Sequence, residues 1–324
     1  MPDTHGRTSS GRPSAGAEPG SRFAPVLAGV RGDVHYDASL KELTSFKIGG
    51  IADVLATPAD EADAAHLLRQ ASAAGVPVFV LGGTNVLIND GGIRGIVVSL
   101  ARLKAIRNEP GQVVYAEGGV GMPTLLQHAI KHGLAGMEWA AGIPGTVGGC
   151  VVMNAGTRLG EMKDSLKALR MAEPDGALRD YPREAIRFDY RRAYLPPGIV
   201  VGVWMQLRAS SKGEVDHAIS DYLRYRKDTQ PLTQPNAGCV FKNPGPQSAG
   251  QVIEAAGLKG LRVGDAQVSP KHANFIVNLG AASAADVLAL IAQVQQRVQD
   301  TVGVTLELEL KVVGEADVKS GGRE

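Results

Sequence analysis

Hydrophobic positions in the first third of the chain switch between short runs typical of strands and the 3.6-residue spacing of a helix. Residues 52–56, apolar apart from Asp53, and the apolar residues 78–81 are segments of strand length. Between them, residues 64–71 place apolar side chains at helical spacing behind a capping Thr57. The second run leads directly into a glycine-rich loop at residues 82–85. This order predicts a βαβ unit whose polar loop lies at the edge where α/β sheets bind ligands.

After the first glycine-rich loop, the pattern predicts further strands and a helix, followed by segments of alternating apolar and polar residues. Alternating segments at residues 166–171 and 199–207 predict a sheet that is at least partly antiparallel, and the polar stretch 210–213 marks a domain boundary. Further strands and one helix of the first part are predicted at residues 96–100, 113–117 and 122–132.

Beyond this boundary the pattern predicts a compact α+β domain. Ser283, with Asp286 three residues later, caps a helix whose apolar side carries Val287, Ile291, Val294 and Val298. Residues 1–24 and 315–324 are polar and are predicted to be disordered tails. The other helices and strands of the domain are predicted at residues 215–226, 249–256, 273–278 and 304–313.

Charge and cysteine content narrow the class of protein. The net charge of +1 argues against electrostatic binding to nucleic acid or to a membrane surface. No apolar run has the length of a transmembrane helix, and the first residues lack the apolar core of a secretory signal. Cys150 and Cys239 give neither a disulfide framework nor a zinc-binding spacing, so we expect a cytoplasmic protein without a metal.

Two clusters among the 41 glycines have the form of backbone cradles. Residues 82–85 and 142–149 each follow an apolar segment, and consecutive unhindered N–H groups of this kind bind phosphate oxygens. One such cluster alone is typical of a structural turn. Two in one domain favour an extended diphosphate ligand, although neither matches the dinucleotide fingerprint or a Walker loop.

A second set of candidate residues comes from three distant segments. Cys239 lies in a turn of small residues at 236–244, Arg191 follows an aromatic and acidic segment, and Glu309 lies near the C-terminus. A thiol, a guanidinium and a carboxyl predict one folded catalytic site. Two alternatives stay open at this point, because Cys239 can be a packed turn residue and Glu307 alternates with Glu309 on the same face of the predicted strand.

These segments together resemble the UDP-N-acetylenolpyruvoylglucosamine reductase family. The resemblance covers residues 36–314, and the absence of a long tyrosine-bearing insertion makes the chain similar to the type II subgroup. It implies an α+β fold: a two-lobed FAD-binding domain of the PCMH/vanillyl-alcohol-oxidase type at residues 36–210, split near 102–112, and a smaller α+β substrate domain at 214–314. The segments that match, in family order, are residues 82–88, 141–149, 154–156, 190–191, 236–244 and 271–273, and Glu309.

The resemblance also implies the cofactors. FAD is expected to bind non-covalently, and NADPH is expected to donate the hydride. The residues that match the family's cofactor-binding segments are Gly82, Gly83, Thr84, Asn85, Val86, Leu87, Gly142, Ile143, Pro144, Gly145, Thr146, Gly148, Gly149, Asn154, Ala155 and Gly156.

The reaction that the resemblance implies is the reduction of UDP-N-acetylglucosamine enolpyruvate in peptidoglycan precursor synthesis. Hydride passes from the flavin N5 to the β-carbon, and a proton is added to the α-carbon. Arg191 matches the arginine that stabilises the enolate, and Glu309 matches the carboxyl that assists it. Cys239 stands where the family commonly has serine as the acid. With an ordinary pKa of about 8.5, a thiol is protonated at pH 7 and releases its proton more readily than a hydroxyl.

The family match further picks Asn243 and His272 as substrate contacts. Tyr190 is a third candidate, which can instead pack beside Arg191, and Arg226 is a candidate for a UDP diphosphate patch with Lys227, Tyr222 and Tyr225. Taken alone, Asn243 is typical of a capping amide, His272 of a surface imidazole and Arg226 of a solvated helix face. The enzyme is expected to be a monomer. Two other function classes remain open: an oxygen-using sugar or alcohol oxidase on the same fold, and a non-catalytic nucleotide-binding module that contacts RNA through residues 222–227.

Overall fold

A computed structural model describes residues 22–82, 84–210 and 212–316, without the side chains of residues 212–218. Most of the two predicted tails lies outside this part of the chain. Their inner ends are packed, because Phe23 is buried and the Glu315 N–H donates to the carbonyl of Gly92. The predicted tail boundaries at residues 24 and 315 are therefore wrong by a few residues.

The N-terminal lobe is a four-stranded sheet in the order β1-β2-β5-β3. The β1–β2 pair is antiparallel and the other two pairs are parallel, with β5 between the two strands of the predicted βαβ unit. Asp60 caps α2 by accepting from the Asp63 N–H at 2.9 Å, whereas the predicted cap, Thr57, ends β2. The elements are α1 (Ala24–Leu27), β1 (Asp33–Ser39), β2 (Ile51–Thr57), α2 (Glu61–Ala73), β3 (Val78–Val80), β4 (Val86–Ile88) and β5 (Ile93–Val98).

The second lobe is a five-stranded antiparallel sheet in the order β12-β11-β15-β7-β6, as the alternating segments predicted. Leu67 of α2 is buried in a core that both sheets share, with Val54 from the first and Val201 from the second. The elements are β6 (Ile106–Glu109), β7 (Val113–Glu117), α3 (Met122–Lys131), β8 (Leu134–Ala135), α4 (Val147–Val152), β9 (Gly156–Thr157), β10 (Gly160–Glu161), α5 (Met162–Ser165), β11 (Leu166–Ala172), β12 (Leu178–Pro182), β13 (Arg187–Asp189), β14 (Arg192–Tyr194), β15 (Ile199–Gln206) and β16 (Arg208–Ala209).

The C-terminal region contains a second four-stranded sheet, in the order β17-β20-β19-β18. Ser283 caps its long helix with a capping box to Asp286, and the four predicted apolar positions of this helix are buried. Among the described residues, no helix combines the length and the hydrophobicity needed to cross a bilayer. The elements are α6 (Lys212–Thr229), β17 (Asn236–Cys239), α7 (Ala249–Ala255), β18 (Arg262–Val263), β19 (Ala266–Val268), β20 (Phe275–Asn278), α8 (Ala284–Val302) and β21 (Lys311–Val313).

The last predicted strand, at residues 304–313, is mostly not a regular strand. Only β21 has that form, and it pairs in parallel with β4 of the N-terminal lobe. Before it, the Glu309 N–H donates to the Val240 carbonyl at 2.8 Å and the Lys242 N–H donates to the Glu307 carbonyl at 2.9 Å. The segment changes hydrogen-bond partners as it crosses from the last sheet to the first lobe, and this crossing brings residue 309 between them.

Candidate active site

A cavity of about 960 Å³ lies where the two lobes meet the C-terminal region. Its volume is near the upper end of the roughly 300–1,000 Å³ that is usual for ligand sites. Both glycine clusters line it, together with the end of β17 and the segment before β21. Four cations and one carboxylate line the cavity, so it favours anionic ligands. These charged residues are Arg158, Arg191, Arg226, Glu309 and Lys311.

The two glycine clusters pack against each other inside this cavity. A Cβ placed on Gly149 would lie 3.5 Å from the Cα of Gly82, and a Cβ on Gly145 would lie 2.9 Å from Thr84 Oγ1. Gly145 also has a φ of +97°, which side-chain-bearing residues rarely adopt. Side chains at these positions would fill the cradle. The bare backbone, the volume of the cavity and its excess positive charge fit the diphosphate of FAD.

The structure brings most of the predicted cofactor-binding residues to the cavity, but not all of them. Leu87 is fully buried and does not line it, and Gly83 lies outside the described residues. Asn154 is also fully buried and away from the cavity. The residues that do line it are Gly82, Thr84, Asn85, Val86, Gly142, Ile143, Pro144, Gly145, Thr146, Gly148, Gly149, Ala155 and Gly156.

The side chain of Asn154 is occupied by protein groups. Its Nδ2 donates to the Glu161 carboxylate at 2.6 Å and to the Asp189 carbonyl at 3.1 Å. Asp189 is the last residue of β13. β13 and β14 form a hairpin whose two-residue turn contains Arg191. In this structure Asn154 therefore supports the hairpin of a predicted catalytic residue and does not contact the cavity.

Arg191 and Glu309 form an ion pair in the cavity wall. The distance from Arg191 Nε to Glu309 Oε1 is 2.9 Å, and the two side chains are 24% and 12% exposed. Arg191 has a φ of +57°, an unfavourable conformation that is typical of functional sites when a non-glycine residue adopts it. Burial raises the pKa of Glu309, and the charge of Arg191 offsets part of that rise. Tyr190 lies beside the pair, with its hydroxyl 3.5 Å from Glu309 Oε2.

The structure separates the two glutamates that the sequence left equivalent. The Glu307 side chain is 74% exposed and pairs with Lys242 on the surface, with 3.1 Å between Nζ and Oε2. Glu309 faces the cavity and Arg191. Because the segment is not a regular strand, strict alternation does not apply, and of the two carboxylates only that of Glu309 lines the cavity.

Cys239 lines the same cavity at the end of β17. Burial raises the pKa of its thiol to about 12, the charge of Glu309 raises it further, and the charges of Arg191 and Arg226 lower it. The expectation of an ordinary thiol pKa is therefore wrong, because it left out desolvation. The thiol is held in its protonated form, but its advantage over a serine hydroxyl is smaller than expected. Cys150 is buried with a pKa also raised to about 12, as suits a packing residue.

The predicted substrate contacts divide into those at the cavity and those away from it. Arg226 lines the cavity, where its Nε donates to Gln230 Oε1 at 2.8 Å and its Nη1 contacts the carbonyl of Gly142. Asn243 Oδ1 accepts from the Ala249 N–H at 3.0 Å, next to the start of α7, and does not line the cavity. The predicted contact through Asn243 is not brought to the site, because the helix end uses its amide.

His272 and Tyr190 are likewise not among the residues that line the cavity. His272 Nδ1 accepts from the Asn274 N–H at 3.2 Å, and its ring packs edge-on to Phe275. Burial lowers the pKa of His272. Tyr190 remains at the rim of the cavity through its contacts with Glu309 and with the Arg191 guanidinium.

Two cavity cations were missed by the sequence patterns. Lys311 begins β21 two residues after Glu309, and only the pairing of this segment with β4 brings it to the cavity, so no local pattern identified it. Burial lowers the pKa of Lys311. Arg158 follows the second glycine cluster and the Gly156 turn and also lines the cavity. The one signal for it in the sequence is that a positive charge lies close to a predicted phosphate-binding segment.

Comparisons with known proteins agree with this architecture. Residues 52–181 match the family model described as an FAD binding domain. Residues 230–313 match the model described as the C-terminal domain of UDP-N-acetylenolpyruvoylglucosamine reductase. The first match contains both glycine clusters, and the second contains Cys239 and Glu309.

Similar whole proteins carry the same description. The UDP-N-acetylenolpyruvoylglucosamine reductase of Heliobacterium modesticaldum is 44% identical over 92% of this chain and 97% of its own length. A second from Symbiobacterium thermophilum is 45% identical over 85% of this chain and 90% of its own length. The crystal structure of the enzyme from Thermus caldophilus has a TM-score of 0.76 at 42% identity, covering 88% of this chain and 99% of that one. The chain belongs to the UDP-N-acetylenolpyruvoylglucosamine reductase family of FAD-dependent oxidoreductases.

Proposed function

We propose that this protein reduces UDP-N-acetylglucosamine enolpyruvate to UDP-N-acetylmuramate with NADPH as the hydride donor. The observation that supports this proposal is the meeting of Arg191, Glu309 and Cys239 in one cation-rich cavity. We further propose that residues 36–210 hold FAD and residues 214–314 hold the substrate. The product is a peptidoglycan precursor, so the protein would act in cell-wall synthesis and thereby in cell growth and division. It is proposed to be a cytoplasmic monomer.

Arg191 and Glu309 supply fixed charge for the first chemical change. FAD, held by the two glycine clusters, would supply the hydride, taken from NADPH, that is added to the β-carbon of the enolpyruvyl group. Addition at that carbon places negative charge on an enolate conjugated with the substrate carboxylate, so a preorganised cation is needed there. Arg191 is that cation in the proposal. Glu309 holds its guanidinium through the 2.9 Å contact and the strained hairpin tip limits its movement.

Cys239 completes the reaction by donating its proton to the α-carbon. A C–H bond forms at the α-carbon as the S–H bond breaks, and the thiolate then regains a proton from water. The raised pKa keeps the thiol protonated until the enolate forms, and the nearby charges of Arg191 and Arg226 stabilise the thiolate. Tyr190 and Arg226 are proposed to contact the substrate at the rim and the wall of the cavity.

Anaerobic oxidation of NADPH by the purified protein tests the proposal. We expect a yellow protein whose flavin is reduced by NADPH, followed by reoxidation only when UDP-N-acetylglucosamine enolpyruvate is added. When air is admitted to the reduced protein, rapid reoxidation of the flavin, together with no response to the enolpyruvyl substrate, would instead identify an oxidase. A colourless protein with salt-sensitive affinity for RNA would identify a nucleotide-binding module.

A further inference from the structure

Arg158 is held at the cavity by an aromatic platform. It lies in the turn between β9 and β10, and its guanidinium carbon is 5.3 Å from the ring centroid of Tyr222 and 4.6 Å from that of Tyr225. The two rings are stacked with their centroids 6.1 Å apart on α6. The turn after the second glycine cluster and α6 therefore meet through this cation–aromatic contact.

The N–H donors of Arg158 have no partner among the described residues. The other two cavity arginines are engaged, since Arg191 pairs with Glu309 and Arg226 donates to Gln230. The cation–aromatic contact uses the charge of the guanidinium and leaves its N–H groups available as hydrogen-bond donors. Those N–H groups form the fork that binds phosphate oxygens in pairs. The contact with the two tyrosines thus orients an unused anion-binding group at the cavity.

The proposed ligands bring more negative charge than the engaged cations balance. FAD carries one diphosphate, and the nucleotide sugar carries a second diphosphate and a carboxylate. The first glycine cluster and the start of the second are placed to offer backbone N–H groups for one diphosphate, whereas the N–H groups of Gly148 and Gly149 donate to Gly118 and Thr146. Arg191, at the Glu309 end of the cavity, is assigned to the carboxylate and the enolate. Lys311 follows Glu309 by two residues and offers a point charge, so of the two cavity cations still without a role only Arg158 brings a two-pronged donor for the second diphosphate.

We infer that Arg158 binds the diphosphate of the nucleotide sugar, and that Tyr222 and Tyr225 fix the plane of its guanidinium. This inference rests on the proposed function, and it adds a substrate-binding residue from the β9–β10 turn. It also gives α6 a role in substrate affinity through the tyrosines that position Arg158.

Binding of UDP to the FAD-loaded protein, measured by titration calorimetry, tests the inference. Arg158→Met keeps a chain of similar length but removes the charge and the fork, and we expect it to weaken UDP binding roughly tenfold or more. Arg158→Lys should recover only part of the loss, because it restores the charge without the fork. The matched control is Arg107→Met, which removes another stacked arginine, 4.0 Å from the Tyr115 ring centroid and away from the cavity.

Turnover separates a binding role from a structural one. Arg158→Met should raise KM for the nucleotide sugar with kcat little changed, and should leave the FAD content and the melting temperature unchanged. The inference is overturned if Arg158→Met binds UDP as tightly as the unmodified protein, whether or not its melting temperature falls. If the unmodified protein itself binds no UDP, the proposed function fails, and the inference fails with it.

Discussion

Asn85 Nδ2 donates a hydrogen bond to the main-chain carbonyl of Glu309 across 3.1 Å, although 224 residues separate the two in the sequence. In return, the Lys311 N–H donates to the Asn85 carbonyl at 3.4 Å, next to the β4–β21 pairing. The first glycine cluster is therefore fixed to the segment that carries the candidate catalytic carboxyl. The ion pair with Glu309 holds the Arg191 side chain to this same segment.

Asn85→Ala should slow the reduction of substrate without preventing FAD binding. The lost hydrogen bond is worth about 0.5–1.5 kcal/mol, which corresponds to a rate reduction of roughly 2- to 12-fold if it is lost fully from the transition state. The matched control is Asn89→Ala, which removes a bond of the same kind, 3.0 Å from Asn89 Nδ2 to the Gly314 carbonyl, away from the cavity. Single-turnover kinetics of prereduced enzyme measure the step. Equal rates in the two variants would contradict a role for Asn85 in positioning Glu309.

Gly145→Ala should strongly reduce FAD retention. The added Cβ meets Thr84 Oγ1 at 2.9 Å, and the φ of +97° adds backbone strain of about 1–2 kcal/mol. Gly257→Ala is the control for strain alone, since Gly257 has a φ of +72° with nothing within 4 Å of an added Cβ. The ratio of flavin to protein absorbance after gel filtration checks the result. Full flavin content in Gly145→Ala would mean that this cradle does not hold the cofactor.

Cys239→Ala should abolish the transfer to substrate while NADPH still reduces the bound FAD. The variant retains the cofactor cradle and the Arg191–Glu309 pair but has no proton to give to the α-carbon. Cys239→Ser should keep much of the activity, since a hydroxyl fills the same place. Stopped-flow absorbance of the flavin resolves the two half-reactions. Normal turnover by the alanine variant would remove Cys239 from the mechanism.

The free energy of unfolding should fall as pH rises above about 9. Burial raises the pKa of both Cys150 and Cys239 to about 12, well above the ordinary value for a thiol. A raised thiol pKa means that the stability gained is fully present below the ordinary value and is lost as pH rises toward the folded value. The loss is up to about 1.4 kcal/mol per pH unit for each thiol. Urea unfolding between pH 7 and 10.5 measures it.

Variants isolate the thiols from other groups that ionise in the same range. Cys150→Ser and Cys239→Ser should each make the decline in stability shallower, because each removes one buried thiol. The comparison is made between slopes within each variant, so a constant destabilisation by either substitution does not matter. Parallel slopes in all three proteins would show that neither thiol has a raised pKa.

Local patterns in the sequence predicted a large part of this fold correctly. The capping residues Ser283 and Asp286 lie within four positions of each other, and their bonds form inside one helix end. Apolar runs likewise predicted β3 and β7. β7 is almost entirely buried, as a strand with apolar residues on both faces should be, whereas β3 lies at the edge of its sheet and is only partly buried. The glycine clusters were identifiable because bare backbone is itself a chemical signal.

Tertiary structure decided what depends on contacts between distant segments. Glu307 and Glu309 are alike in sequence, but only the crossing of their segment to β4 turns Glu309 toward Arg191. The pKa of Cys239 follows from desolvation by groups far along the chain, which no local pattern contains. Asn154 was predicted to bind the cofactor, but in the folded chain its side-chain amide donates to Glu161 and Asp189. The sequence by itself determined which chemical groups were present, and long-range packing set their charge, their partners and the direction they face, because burial and pairing are properties of the folded chain.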